Sequence, residues 1–273
     1  MKISNPKLFG LMLPALLLSA FASAQKLPNI QKEGLRAPAN IKIDGKATEW
    51  NNKLQAYNHA IQAGYTLSND DHKLYLTVSS NRREIINKMI HGGVSLTINK
   101  IKRSINGAAV VTYPSFNVLD PPVMGLNAMF NIKPGTPDAD REIDSLIKAD
   151  NSILNSKAKF IRLSGLHDDV DTLISVYNKD GIKANCAFDN NRTFTIEISV
   201  NLKLLGLSIE DQSPFNYNIR FNETKIDYVP GVAISRNPDG TITQMVVNDA
   251  KLANSYISAL NTTDCWGQYT LVK

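Results

Sequence analysis

The sequence predicts a mainly β fold: an antiparallel two-sheet β-sandwich, immunoglobulin- or jelly-roll-like, with a helix-containing insertion. Three observations predict it. Short runs of alternating apolar and polar residues recur along the chain, as in Leu74, Leu76 and Val78 or in Ile182, Ala184, Cys186 and Phe188. Period two is the signature of a half-buried strand. Turn-forming clusters separate these runs, among them Asp44-Gly45, Asn69-Asp70-Asp71 and Lys179-Asp180-Gly181. Only one segment, from Asp138 to about Lys157, reads as a helix of any length. Many short strands, frequent turns and few helices are what a sandwich requires.

The N-terminus reads as a processing signal. Lys2 and Lys7 precede the apolar run Leu8–Phe21, and Ala22-Ser23-Ala24 supplies the small-x-small pattern for cleavage before Gln25. Residues 1–24 are therefore expected to be a signal peptide, and the mature chain to be exported to the periplasm or beyond the cell. No cysteine directly follows the cleavage site, so no lipoprotein anchor is expected, and no later apolar run reaches membrane-spanning length. Cleavage removes two lysines and no acid, which lowers the formal charge from +5 to +3. Basic residues are scattered, so nucleic acid is not an expected partner. A 43% apolar content fits a globular core.

Residues 25–38 are polar and read as an extended leader to a single domain over 39–273. Ala39–Ile43 alternates as a strand, Asp44-Gly45 turns, and Trp50 is expected to anchor the sheet by burying its ring. Ala60–Ser68 and Lys73–Ser79 form a hairpin pattern about Asn69–His72. Arg82–Ile90 places Ile85, Ile86, Met89 and Ile90 at helical spacing, and His91-Gly92-Gly93 stops the helix. Strands follow at Val94–Ile98 and Val110–Tyr113. Residues 114–160 then make the insertion. It opens as a proline-rich irregular stretch and closes on the helix, whose stripe is Ile143, Leu146, Ile147 and Leu154. Strands resume at Lys159–Leu163, Leu173–Asn178, Ile182–Phe188, Thr193–Val200 and Phe215–Phe221. Residues 224–240 read as loop, Ile242–Val247 as a strand, Leu252–Leu260 as helix or strand, and Trp266–Val272 as the closing strand. Cys186 and Cys265 either pair, stabilising by roughly 4 kcal/mol in the chain-entropy model, or stand as separate buried thiols.

The order of these stretches resembles the family 9 carbohydrate-binding modules and their DOMON-like relatives. Ile43-Asp-Gly-Lys-Ala-Thr-Glu-Trp50 is similar to the family's opening, and Asp70-Asp-His-Lys-Leu-Tyr-Leu76 to its Asp-x-x-Leu-Tyr strand. Gly93–Ile98, Thr193–Val200, Phe215–Phe221 and Trp266-Gly-Gln-Tyr-Thr-Leu271 follow in the family's order. The resemblance implies a two-sheet sandwich and sugar binding by aromatic stacking. The sequence departs from the family where Lys88-Met-Ile-His-Gly92 replaces an acidic-aromatic stretch, and no tryptophan clamp is visible: Trp50 and Trp266 both fall at positions read as structural.

No nucleophile elbow, zinc-protease helix, phosphate loop or paired-cysteine metal site occurs in the sequence. His59, His72, His91 and His167 are isolated and read as turn or surface residues. Asp168, Asp169 and Asp171 read first as a solvated turn. The alternative is a structural calcium site, because that ion takes several oxygen ligands. No other cofactor is expected. Tyr113 and Phe116 are the candidate ligand rings beside the insertion. The expected function is a secreted, non-catalytic binding module for a glycan or other cell-surface component. The rivals are a protein-interaction sandwich that uses residues 114–160, and a hydrolase built on two carboxylates brought together by folding.

Overall fold

A computed structural model describes residues 26–117, 120–166 and 172–273. The chain is mainly β. A five-stranded antiparallel sheet has the order β1-β2-β3-β9-β8, built from Ala56–Asn58, Ala63–Asn69, Lys73–Ser80, Phe194–Asn201 and Ile182–Phe188. A six-stranded antiparallel sheet has the order β13-β10-β4-β5-β6-β7, built from Thr263–Tyr269, Phe215–Phe221, Val94–Asn99, Ala109–Ser115, Phe160–Ser164 and Leu173–Ser175. The strands β11 (Val232–Arg236) and β12 (Ile242–Val247) make a separate hairpin. The helices are α1 (Arg83–His91), α2 (Leu126–Asn131), α3 (Pro137–Lys157) and α4 (Ala250–Ser255). No helix among the described residues is long and apolar enough to cross a membrane.

The alternating positions of the two large sheets face each other and form one core. Tyr65 on β2 and Tyr217 on β10 meet across it, hydroxyl to hydroxyl at 2.8 Å, and the Gln31 amide donates to the Tyr65 hydroxyl. The leader is thus tied to the sandwich. Its backbone also exchanges hydrogen bonds with Asn69, and the Tyr269 hydroxyl donates to the Leu35 carbonyl. Cys186 and Cys265 are free and buried, which settles the alternatives left open by the sequence.

Ala39–Ile43 is not a strand. The segment lies across the outer face of the five-stranded sheet, and its turn bonds to a side chain instead of a ladder. The register places Thr66, Thr77, Glu197 and Asn185 in one row on that face. The Glu197 carboxylate accepts the Asp44 and Gly45 amides at 2.9 and 3.0 Å, and the Trp50 indole donates to the Thr77 hydroxyl at 3.2 Å. Gly45 has φ +81°, and a Cβ there would stand 2.6 Å from backbone atoms of Cys186 and Ala187. The Asp-Gly turn therefore rests directly on β8, which only glycine permits.

The 114–160 insertion is not a detached arm. Leu126 and Met129 of α2, with Ile143, Ile147 and Leu154 of α3, belong to the core. Thr136 caps α3 by accepting from the Ala139 amide. Buried Asp150 of α3 accepts the Gly125 amide at 2.8 Å, just ahead of α2. Lys157 holds the preceding loop through the Asp120 carboxylate at 2.5 Å and the Pro121 carbonyl at 3.2 Å.

Candidate functional site

Three non-sandwich segments leave or enter the same end of the six-stranded sheet. The register sets Val94 beside both Tyr113 and Phe221, Ser115 beside Phe160, and Phe221 beside Thr263. Helix α1, the insertion after β5 and the long connection from β10 to β13 therefore converge there. Loops gathered at one end of a sandwich are the usual place for its ligand site.

The convergence is close-packed. A Cβ on Gly92 would stand 2.2 Å from the Asn222 carbonyl oxygen, and one on Gly93, at φ +74°, would stand 2.6 Å from the Pro114 carbonyl oxygen. The glycine pair that ends α1 lets the chain pass between the other two segments. Beneath it, buried Lys88 donates to the Thr263 hydroxyl at 2.9 Å, and burial lowers its ammonium to about 8.

At the centre His91, the last residue of α1, stacks on Tyr228 with ring centroids 4.3 Å apart and planes 5° from parallel. The Asn87 side chain donates to the Tyr228 carbonyl and fixes the single helical turn Ile226–Tyr228 that carries this ring. Burial pushes the His91 imidazole down to about 4, so the ring is neutral at ordinary pH, and it takes no hydrogen bond among the described residues.

Two clefts, of about 210 and 380 Å³, share His91, Tyr228, Pro121 and Pro122 as their common wall. The smaller adds Phe116, Ser115, Arg162, Glu223 and Lys225; the larger adds Val123, Met124, Val229 and Pro230, with the amides of Asn87 and Asn127. Arg162 donates to the Ser115 hydroxyl at 3.4 Å, and Arg162, Glu223 and Lys225 form no ion pair among the described residues. Asp227, in the larger cleft, is held by Arg236 at 3.0 and 3.1 Å. Across the two adjoining clefts the arrangement combines aromatic edges, a forked donor, a carboxylate and neutral amides.

A third cleft, of about 550 Å³, opens on the outer face of the five-stranded sheet between Lys46–Thr48, Asn52, Ser79, Asn151 and residues 188–195. Its lining is polar, with amides and hydroxyls beside the Lys46 ammonium and the Asp189 carboxylate. Its one ring, Phe188, is 2% exposed and is spent in the core.

The expected site residues are placed as follows. Phe116 lines the smaller end cleft and packs partly against the core. Tyr113 is 2% exposed, its hydroxyl donates to the Ala158 carbonyl, and it is part of the lining of a further cleft, of about 360 Å³, with Tyr177, Lys159 and Lys183. Trp50 ties the Asp-Gly segment to the sheet. Trp266, on β13 opposite Asn218, points to the outer face of the six-stranded sheet and is half-buried. Asp168, Asp169 and Asp171 lie outside the described residues. His91, Arg162, Glu223, Lys225 and Tyr228 were not foreseen as a site, because no motif or spacing links them.

No protein-family model matches the sequence, and no curated protein matches it closely enough to name a relative.

Proposed function

We propose that the protein is an exported, non-catalytic glycan-binding module, of the kind the family 9 resemblance implies, and that it binds at the cleft divided by His91 and Tyr228. One observation carries this reading. Aromatic rings and charged groups of both signs that form no ion pair among the described residues line two adjoining clefts with a common wall, built where all three connections converge. A sugar presents apolar C–H faces and hydroxyl edges together. Rings such as Tyr228 and Phe116 suit the first. A forked guanidinium, a carboxylate and side-chain amides suit the second. The walls are held by Asp150, Lys157 and Asn87, so little ordering entropy is lost on binding.

The test is titration of the folded protein against a broad glycan array with calcium present. Binding is expected, with a loss of about tenfold or more in affinity in Tyr228→Ala and Arg162→Gln, as for removal of well-packed interface groups. Asn52→Ala and Asn190→Ala, in the third cleft, should bind as the parent does. A folded protein that binds no glycan refutes the function. Binding that is lost only in the third-cleft variants refutes the site.

A further inference from the structure

The cleft of about 360 Å³ beside Tyr113 shares no lining residue with the two end clefts or the third cleft. It opens at a lateral edge of the sandwich, where β8 ends the five-stranded sheet, β7 ends the six-stranded sheet, and the last turn of α3 lines the gap. Its size is that of a pocket for a small ligand. Ile43, Leu154, Val176 and Ala184 give it apolar walls, and Asn155 and Asn185 add amides.

Its charge is of one sign. The smaller end cleft, the larger one and the third cleft each have a carboxylate in the wall: Glu223, Asp227 and Asp189. Here the charged lining residues are Lys159 and Lys183, and neither forms an ion pair among the described residues. Asp44, next in the chain to Ile43, accepts the Lys46 amide with its carboxylate. A helix carries partial negative charge at its C-terminal end. The Ala158 carbonyl, at that end of α3, is taken up by the Tyr113 hydroxyl.

Both lysines are held in place. Lys183 donates to the Asn178 carbonyl at 2.6 Å. Lys159 lies over the Tyr177 ring, 4.7 Å from its centroid, and donates to its hydroxyl. The Asn178 amide bridges the Ser175 and Ile182 carbonyls and fixes the turn that carries Tyr177. Tyr177 is 71% exposed, so packing in the core does not account for its ring. We infer that this cleft binds an acidic sugar. The carboxylate or phosphate of the ligand meets Lys159 and Lys183, its C–H face meets Tyr177, and its hydroxyls meet Asn155 and Asn185. Two ammonium groups without a facing carboxylate select the charge. Apolar walls and a fixed, exposed ring select a sugar over a bare anion. The inference stands apart from the reading of the end clefts.

Titration of the isotope-labelled protein, followed by the NMR signals of its backbone amides, tests this. The probes are galacturonic acid, glucose phosphate, galactose, glucose and inorganic phosphate. The two acidic sugars should shift signals over residues 155–159 and 176–185. They should bind about tenfold or more tightly than either neutral sugar or phosphate alone, as charge-assisted contacts require. Lys159→Gln and Lys183→Gln should each lose about tenfold in affinity for them. Lys203→Gln, at an exposed lysine outside the cleft, and Arg162→Gln, in the smaller end cleft, should bind them as the parent does. The amide spectra also show whether each variant is folded. Acidic sugars that bind no better than neutral ones overturn the inference, as does inorganic phosphate that binds equally well. So does affinity that both cleft-lysine variants retain. A loss seen in Arg162→Gln instead places the acidic sugar in the end cleft; it overturns this inference and leaves the function proposed above standing.

Discussion

Substituting Glu197 by glutamine should remove most of the protein's pH-dependent stability between about pH 5 and 8. Glu197 is fully buried in the row Thr66–Thr77–Glu197–Asn185. Burial raises its carboxyl from 4.5 to about 7, against the opposing pull of the Gly45 and Asp44 amides; the nearby Asp44 and Glu49 carboxylates raise it further. The native state thus holds this proton more tightly than the unfolded chain does. The stability it contributes is complete below about 4.5 and is lost as the pH rises through about 7. At about 1.4 kcal/mol per unit, the shift corresponds to about 3 kcal/mol. For a domain of this size that is roughly 6–12 °C in Tm.

Glutamine keeps the shape and removes the charge. Its carbonyl oxygen can accept the Asp44 and Gly45 amides, which already share one Glu197 oxygen. Its amide can donate to the Thr77 hydroxyl, whose oxygen has lone pairs for both it and the Trp50 indole. Glu197→Gln should therefore match the parent near pH 5 and exceed it near pH 8. Glu197→Ala should lose about 2–4 kcal/mol near pH 5, from the cavity and two orphaned amides, and less near pH 8, where the parent has itself lost the contribution of the Glu197 proton. Urea unfolding at the two pH values reads all three proteins. The reasoning is refuted if Glu197→Gln keeps the parent's pH slope, or if it is as unstable as Glu197→Ala.

Other outcomes follow from the same packing. Gly45→Ala should cost about 2 kcal/mol or more, because a Cβ at φ +81° would strike the β8 backbone; thermal melting checks this. Burial depresses Lys88, so native stability should rise as pH climbs from about 8 towards 10.5. Lys88→Met should remove that rise in denaturant titrations across this window. Burial raises the thiols of Cys186 and Cys265 to about 12. Neither should react with a thiol reagent in the folded protein at pH 8, and both should react in denaturant.

Most strands were legible because their inner positions keep period two. Leu74, Leu76 and Val78, or Phe215, Tyr217, Ile219 and Phe221, face the core as the alternation requires. The same signal misled where both faces are buried. Thr77, Glu197 and Ser199 look like solvent-facing strand positions in sequence, yet the Asp44…Trp50 segment and its neighbours bury them. That segment alternates too, but its turn is held by the Glu197 carboxylate and not by a strand ladder. Short β1 and α2 were missed because three to six residues carry too little periodicity. Strand β11 was missed inside a stretch read as loop. The end cleft was illegible for another reason. His91 comes from a helix end, Arg162 from β6, and Glu223 and Tyr228 from the connection after β10. Only the register of the six-stranded sheet brings them together.

That division locates the family-like motif in the physics of the chain. Ile43…Trp50 is best accounted for by the need to close a polar sheet face over a buried carboxylate. Its glycine, its two amides and its indole are each used for that closure. Residues spent on this closure carry no information about a ligand. Their substitutions should move stability and leave affinity alone, while those at Tyr228 and Arg162 should do the reverse. The proposed glycan site uses what the motif leaves over: three connections of unequal length that meet at one end, with Phe116, Arg162, Glu223 and Lys225 beside the stacked His91 and Tyr228 rings.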